Sequence, residues 1–240
     1  MKKSAPLTSF LPMYMLVLCC LLAVAVGTSK VITVVSENTP IVHRNKFIID
    51  AGHGGIDGGA TSCTGVLESQ INLEIALKLN DLMHLLGYDT VMIRTTDCSV
   101  YTQGETIAAK KISDLKERVR IANQTEKAVL ISIHQNQFPD SRYSGAQVFY
   151  AKTAGSEQLA KQIQAAFVQT LNPGSKRQVK KASGIYLMEH IQCTGFLIEC
   201  GFLSNPEEEA NLRRGEYQNK ICCVLASVCS QYLQTISTNT

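Results

Sequence analysis

Phe47-Ile48-Ile49-Asp50-Ala51-Gly52-His53-Gly54-Gly55 reads as a strand running straight into a glycine-rich loop, with Asp57, Gly58 and Gly59 close behind. Successive apolar residues mark a strand covered on both faces. The chain then delivers a histidine at the strand's carboxyl end, where open α/β sheets keep their sites. The glycines match neither a G-x-x-x-x-G-K-[ST] phosphate loop nor a G-x-G-x-x-G that opens a helix. A ligand histidine that needs close backbone packing accounts for them better.

Outward from this strand, short runs of Ile, Val and Phe alternate with longer amphipathic stretches. The pattern predicts an α/β domain over 46–234, with a mainly parallel, twisted, six-stranded sheet covered by helices. Strands are expected at 46–50, 89–93, 129–134, 145–150, 185–188 and 195–199, and helices at 68–86, 114–124, 155–171, 205–213 and 216–234. Asp114-Leu115-Lys116-Glu117 has the form of a capping box, and Asn205-Pro206-Glu207-Glu208 joins a cap residue to an early proline and acids at the positive helix end. Residues 95–113 form the longest expected loop. That loop and the one around 135–145 both follow carboxyl ends of strands, so both are expected to border a substrate groove.

Three further residues echo the placement of His53. Glu68 opens the first helix in register with Ile71, Ile75, Leu79, Leu82 and Leu86, so it continues the apolar stripe and needs a partner there. Val129-Leu130-Ile131-Ser132-Ile133 ends in His134-Gln135-Asn136, and Phe196-Leu197-Ile198 ends in Glu199-Cys200-Gly201. A second histidine and a carboxylate thus sit at equivalent strand ends. Two histidines and one glutamate with an open fourth position make a catalytic zinc set, which leaves the other glutamate as a candidate base.

The segments around His53, Glu68-Ser69-Gln70-Ile71-Asn72-Leu73, Ser132-Ile133-His134-Gln135-Asn136 and Leu197-Ile198-Glu199-Cys200-Gly201-Phe202-Leu203-Ser204-Asn205-Pro206 resemble, in order, the motifs of zinc-dependent N-acetylmuramoyl-L-alanine amidases. The resemblance covers nearly all of 46–232. It implies His53, Glu68 and His134 as ligands of Zn²⁺ and Glu199 as the catalytic residue, which takes a proton from water and passes it to the leaving amine of L-alanine. Leu115, Arg118, Ala122 and Asn123 resemble the family's L-x-x-R-x-x-x-A-N helix, taken here as structural. The short chain with its amino-terminal apolar segment is most similar to the sporulation and germination amidases of the CwlD type. That similarity implies a peptidoglycan substrate in spore cortex, where stem-peptide removal precedes formation of muramic-δ-lactam. Two departures stand out: Gln135 and Gln137 follow the second histidine where small residues are usual, and Cys193-Thr194-Gly195 lacks a proline. Both are expected to touch the cleft wall. Gln135 and Gln137 also lead to an expectation of weak zinc affinity in the isolated protein and of an activating protein partner.

Lys2 and Lys3 precede an apolar run from Leu11 to Gly27, so residues 1–27 are expected to be an export signal or membrane anchor, residues 28–45 a tether and 235–240 a tail. This places the domain outside the cytoplasmic membrane, on the wall or cortex side, with membrane contact through the amino-terminal segment only. With 240 residues, 18% of them charged and a net charge of +3, the chain has one domain's worth of core and no pattern for nucleic acid. Lys176, Arg177, Lys180 and Lys181 are expected in a solvated loop. Of nine cysteines none forms C-x-x-C, which excludes a zinc ribbon; most are expected to be buried, reduced thiols. The competing functions are another zinc-dependent wall peptidase and a non-catalytic wall-binding protein with a vestigial site.

Overall fold

The computed structural model describes residues 46–238, so the expected signal or anchor, the tether and the last two residues of the tail lie outside the described residues. Six strands form one sheet in the order β2-β1-β3-β6-β4-β5. They are β1 (Lys46–Ala51), β2 (Asp89–Met92), β3 (Ala128–Asn136), β4 (Gln147–Tyr150), β5 (Lys180–Lys181) and β6 (Thr194–Phe202). β2, β1, β3 and β6 run parallel, β4 pairs antiparallel with β6, and β5 pairs parallel with β4.

The helices are α1 (Glu68–Leu85), α2 (Ile107–Gln124), α3 (Ser156–Thr170), α4 (Tyr186–His190), α5 (Pro206–Leu212) and α6 (Gly215–Thr238). Alternation along the strands divides the core. Ile49, Ile131, Ile133, Phe196 and Ile198 pack with Ile75 and Leu79 of α1, Ile163 of α3 and Leu225 of α6. Ile48, Leu130 and Leu197 face the other way, toward Ala122 of α2 and Leu187 and Met188 of α4. Both faces are covered, which is why β1, β3 and β6 are nearly continuous apolar runs.

Several expectations are corrected. Residues 185–188 are not a strand: Tyr186–His190 is a short helix, and the edge strand is Lys180–Lys181. A four-residue apolar run does not distinguish the two, and burial of Leu187 and Met188 against the sheet selects the helix. α2 begins at Ile107, capped by Thr106, whose Oγ1 accepts from Ala109 N at 3.2 Å, so the 95–113 loop is shorter than expected. Asp114 therefore caps nothing; within the helix it accepts from Val100 N and Arg118 Nε. Asn205, in contrast, does cap α5, accepting from Glu207 N and Glu208 N. The stripe of α1 drifts, so that Met83 is buried while Leu86 is 47% exposed. Among 176–181, Lys176, Lys180 and Lys181 are exposed as expected, while Arg177 is half-buried, lying 4.7 Å above the Phe202 ring and donating to Ser144 O. All seven described cysteines are free, but only Cys200, Cys222 and Cys229 are buried; Cys63, Cys98 and Cys223 are exposed.

Candidate metal centre

β1 and β3 pair in register from Lys46↔Ala128 to Ala51↔Ile133, and β3 and β6 pair through His134↔Glu199. Equal strand lengths above the amino edge therefore bring the His53 loop, His134 and Glu199 to one carboxyl rim. Beyond His134↔Glu199 the ladder slips, so that Asn136 meets Phe202, an irregularity of the kind that gathers beside active sites. Glu68 reaches this rim from the opposite layer because it is the first residue of α1, held by Glu68 N to Ala60 O.

His53 stands at φ 61°, a left-handed conformation uncommon outside glycine, followed by Gly54 and Gly55, also at positive φ. The turn is closed by reciprocal bonds between Gly54 and Asp57. It aims His53 Nε2 at Glu68 Oε2 (3.2 Å), while Nδ1 meets Asp57 Oδ2 (2.9 Å) and Lys111 meets the other Asp57 oxygen (2.8 Å). His134 Nδ1 lies 3.0 Å from Glu68 Oε1. His53, Glu68 and His134 each offer a donor atom, all within 4.8 Å of one another, so these three can hold a metal ion. The close packing is exacting: a Cβ on Gly52 would meet the His134 ring at 2.2 Å, and one on Gly59 would meet Glu68 Oε2 at 2.6 Å.

The electrostatics follow from this packing. Burial works against charge on His53, yet the bonds to Glu68 and Asp57 raise its pKa to about 9. Burial likewise opposes charge on Glu68, but His134 and His53 hold its carboxyl far below the usual range. Glu199 differs. Burial pushes its carboxyl up to about 7, with Glu68 adding to the shift and the histidines opposing it, and its Oε2 is buried with no hydrogen-bond partner. A carboxyl poised near neutrality beside a candidate metal cluster can accept and return a proton.

Beneath the cluster, Asp50 is 1% exposed and pairs with Arg118 and with Ser132 Oγ (2.6 Å). Arg118 also donates to Asp114 and to His53 O at 2.7 Å, so the L-x-x-R helix supports the His53 turn directly. Asn72, one turn after Glu68, donates to Glu68 Oε1 and Gly52 O and accepts from Gln135 Nε2. The cues to Asp50, Asn72 and Arg118 were a charge or amide in otherwise apolar positions.

Gln135 does not touch the cleft wall. Its side chain is buried on the opposite sheet face from His134, against Asn72, and Gln137 donates to Thr61 O. Cys193-Thr194-Gly195 lies at the amino end of β6, away from the rim. A cavity of about 200 Å³ opens beside His53 and His134, lined also by Lys111, Leu115, Tyr186 and Leu187. Of the loops expected to border the groove, only Lys111 contributes; Tyr143, Ser144 and Gly145 line a separate cleft of about 770 Å³ that includes none of the four residues.

These features define an α/β protein with a candidate metal centre at the carboxyl rim of its sheet. Residues 47–227 match the family model described as N-acetylmuramoyl-L-alanine amidase, and the chain belongs to that family. It is 39% identical over 175 residues to the germination-specific N-acetylmuramoyl-L-alanine amidase of Bacillus subtilis, covering 72% of this chain and 73% of that one. It is 30% identical to the amidase LytC of the same organism over 75% of this chain, which spans only 34% of LytC. The CwlD amidase of Clostridioides difficile, solved in complex with the GerS lipoprotein, superposes with a TM-score of 0.76 at 37% identity, covering 80% of this chain and all of that one.

Proposed function

We infer that this protein is a zinc-dependent N-acetylmuramoyl-L-alanine amidase that removes stem peptides from peptidoglycan of the spore cortex. The observation that carries this is a family match over 47–227 joined to a three-residue cluster beside a glutamate whose buried Oε2 has no hydrogen-bond partner. Two imidazoles and a carboxylate suit zinc, and the Asp57 carboxylate on the far nitrogen of His53 is the support that ligating histidines usually have. His53, Glu68 and His134 would hold the ion. When bound, zinc supplies Lewis acidity toward a carbonyl and lowers the pKa of water to about 7.

The chain's own residues do the rest. Glu199 takes the proton of the attacking water on its carboxylate and returns it to the leaving nitrogen of L-alanine. Burial raises the proton affinity of its carboxyl, which favours that uptake. The Arg118–Asp50 pair keeps the His53 turn in place, and the cavity lined by Leu115, Tyr186 and Leu187 receives part of the substrate.

The germination-specific relative supports the cortex assignment, and export to the outer side of the membrane through residues 1–27 fits that place of action. A protein partner that raises activity is consistent with the CwlD amidase having been solved with a lipoprotein. Digestion of purified peptidoglycan with and without added zinc tests the reading. Free peptides beginning with L-alanine are expected. Release of terminal amino acids alone would make the protein a wall carboxypeptidase, and no product under any condition would make it a binding protein.

A further inference from the structure

Arg94 follows β2 and is 3% exposed, directly under the loop that carries His53. Buried guanidinium groups ordinarily meet carboxylates. The hydrogen bonds of Arg94 run to backbone carbonyls instead: Nε to Ala51 O (2.9 Å), one terminal nitrogen to Thr96 O (2.9 Å), and the other to both Gly52 O (3.1 Å) and Ser69 O (2.8 Å). Those carbonyls belong to three segments: the end of β1 leading into His53, the first turn of α1 immediately after Glu68, and the turn after β2. A guanidinium presents its donors in one rigid plane, so bonds to all three fix their mutual spacing. A Cβ on Gly54 would come within 2.8 Å of Arg94 Nε, which shows how closely the His53 turn is seated on it.

We propose that Arg94 is a positioning residue for the metal cluster, holding the His53 segment and the first turn of α1 at the separation that lets His53 and Glu68 share one ion. This rests on the metal reading above. The hydrogen bonds of Arg94 reach no side chain of the cluster; it acts through Gly52 and Ser69, the neighbours of His53 and Glu68.

Arg94→Met keeps the volume and removes the donors. Ala51 O retains Arg118 at 3.0 Å and Gly52 O retains Asn72 at 3.1 Å, so neither carbonyl is orphaned and the variant is expected to fold. Arg94→Lys restores charge without the planar fork. Gln164→Leu removes a buried side chain bonded to Val148 N and Ala146 O at the β4 edge and controls for lost stability. Zinc affinity, measured by competition with a chelator, is expected to fall about 10- to 100-fold in Arg94→Met, to recover in part in Arg94→Lys, and to hold in Gln164→Leu. In metal-free protein the imidazole NMR signals of His53 are expected to move in Arg94→Met and not in Gln164→Leu. Native affinity together with native imidazole signals in Arg94→Met would overturn the proposal, as would equal losses in Gln164→Leu. If the native protein takes up no zinc, the metal reading falls, and the metal-free imidazole signals decide for or against Arg94 on their own.

Discussion

His134 and Glu199 are direct partners across the parallel ladder of β3 and β6, so their side chains rise from neighbouring strands on one face of the sheet. Adjacent strands lie about 4.8 Å apart. That spacing sets a glutamate beside a cluster member without making it part of the cluster, whose carboxylate is Glu68.

Glu199→Gln keeps the shape and leaves His53, Glu68 and His134 untouched, but an amide cannot take a proton from water. Bound zinc is expected to remain while kcat drops by roughly 100- to 10,000-fold. Metal analysis and initial rates on the same sample check this. Zinc loss in this variant would mean that Glu199 is a ligand.

Glu68→Ala removes a proposed ligand and also strands Ala60 N and Gln135 N, which Glu68 accepts at 3.0 and 3.1 Å. Zinc content and activity are expected to fall together, with partial recovery at high zinc, and the stranded amides should cost about 1–3 kcal/mol of stability each at most. Activity that survives without zinc would contradict the assignment.

Gly52→Ala forces a methyl group to within 2.2 Å of the His134 ring. The ring has to swing away, so zinc affinity is expected to drop at least about 10-fold with the fold retained. Circular dichroism and chelator competition read the two quantities separately. An unchanged affinity would show that His134 is not held by this contact.

Asp50 illustrates a pH effect whose sign is fixed by its partner. Burial opposes its charge, but Arg118, His134 and Ser132 outweigh burial and lower its pKa. A depressed carboxyl contributes stability that is fully present above the unfolded value near 3.9 and is lost as pH falls below it toward the folded value. Asp50→Asn takes one of two carboxylate partners from the buried Arg118, which keeps Asp114, so unfolding at neutral pH is expected to become easier by about 1–3 kcal/mol, with the gap to the native protein narrowing below about pH 4. Denaturant titrations at pH 7 and pH 3 measure the gap; a gap that does not shrink in acid would show that the pair does not carry the effect.

Thiol labelling should follow burial. Cys63, Cys98 and Cys223 are expected to react with iodoacetamide in the native protein. Cys200, Cys222 and Cys229, whose pKa values burial pushes up, are expected to react only after unfolding. Peptide mapping of the labelled sites decides it.

The parts of the fold legible in the sequence were those where burial on both faces leaves no ambiguity: β1, β3 and β6, whose apolar runs also place His53, His134 and Glu199 at their ends. Glu68 was legible from the register of α1. What escaped were features that depend on contacts distant in the chain, together with one local cap hidden by the charges around it. Leu187 and Met188 are helical because of the face they cover, and Thr106 caps α2 although lysines soon after it mask the apolar pattern. The carbonyl shell of Arg94 has no sequence signature, since its partners are backbone atoms.

The placement of β6 also orders the events of folding. This strand lies between β3 and β4, yet it follows both in the chain. His134, the last of the three cluster members, stands 65 positions before Glu199, so a polypeptide emerging from its amino end contains all three residues before Glu199 exists. Until that final central strand is inserted, β3 lacks one of its two ladders and the core lacks Phe196 and Ile198, so nothing holds His134 in place. The cluster and the glutamate beside it therefore depend on the same final strand, and a chain cut short before residue 194 is expected neither to hold a metal ion tightly nor to hydrolyse substrate.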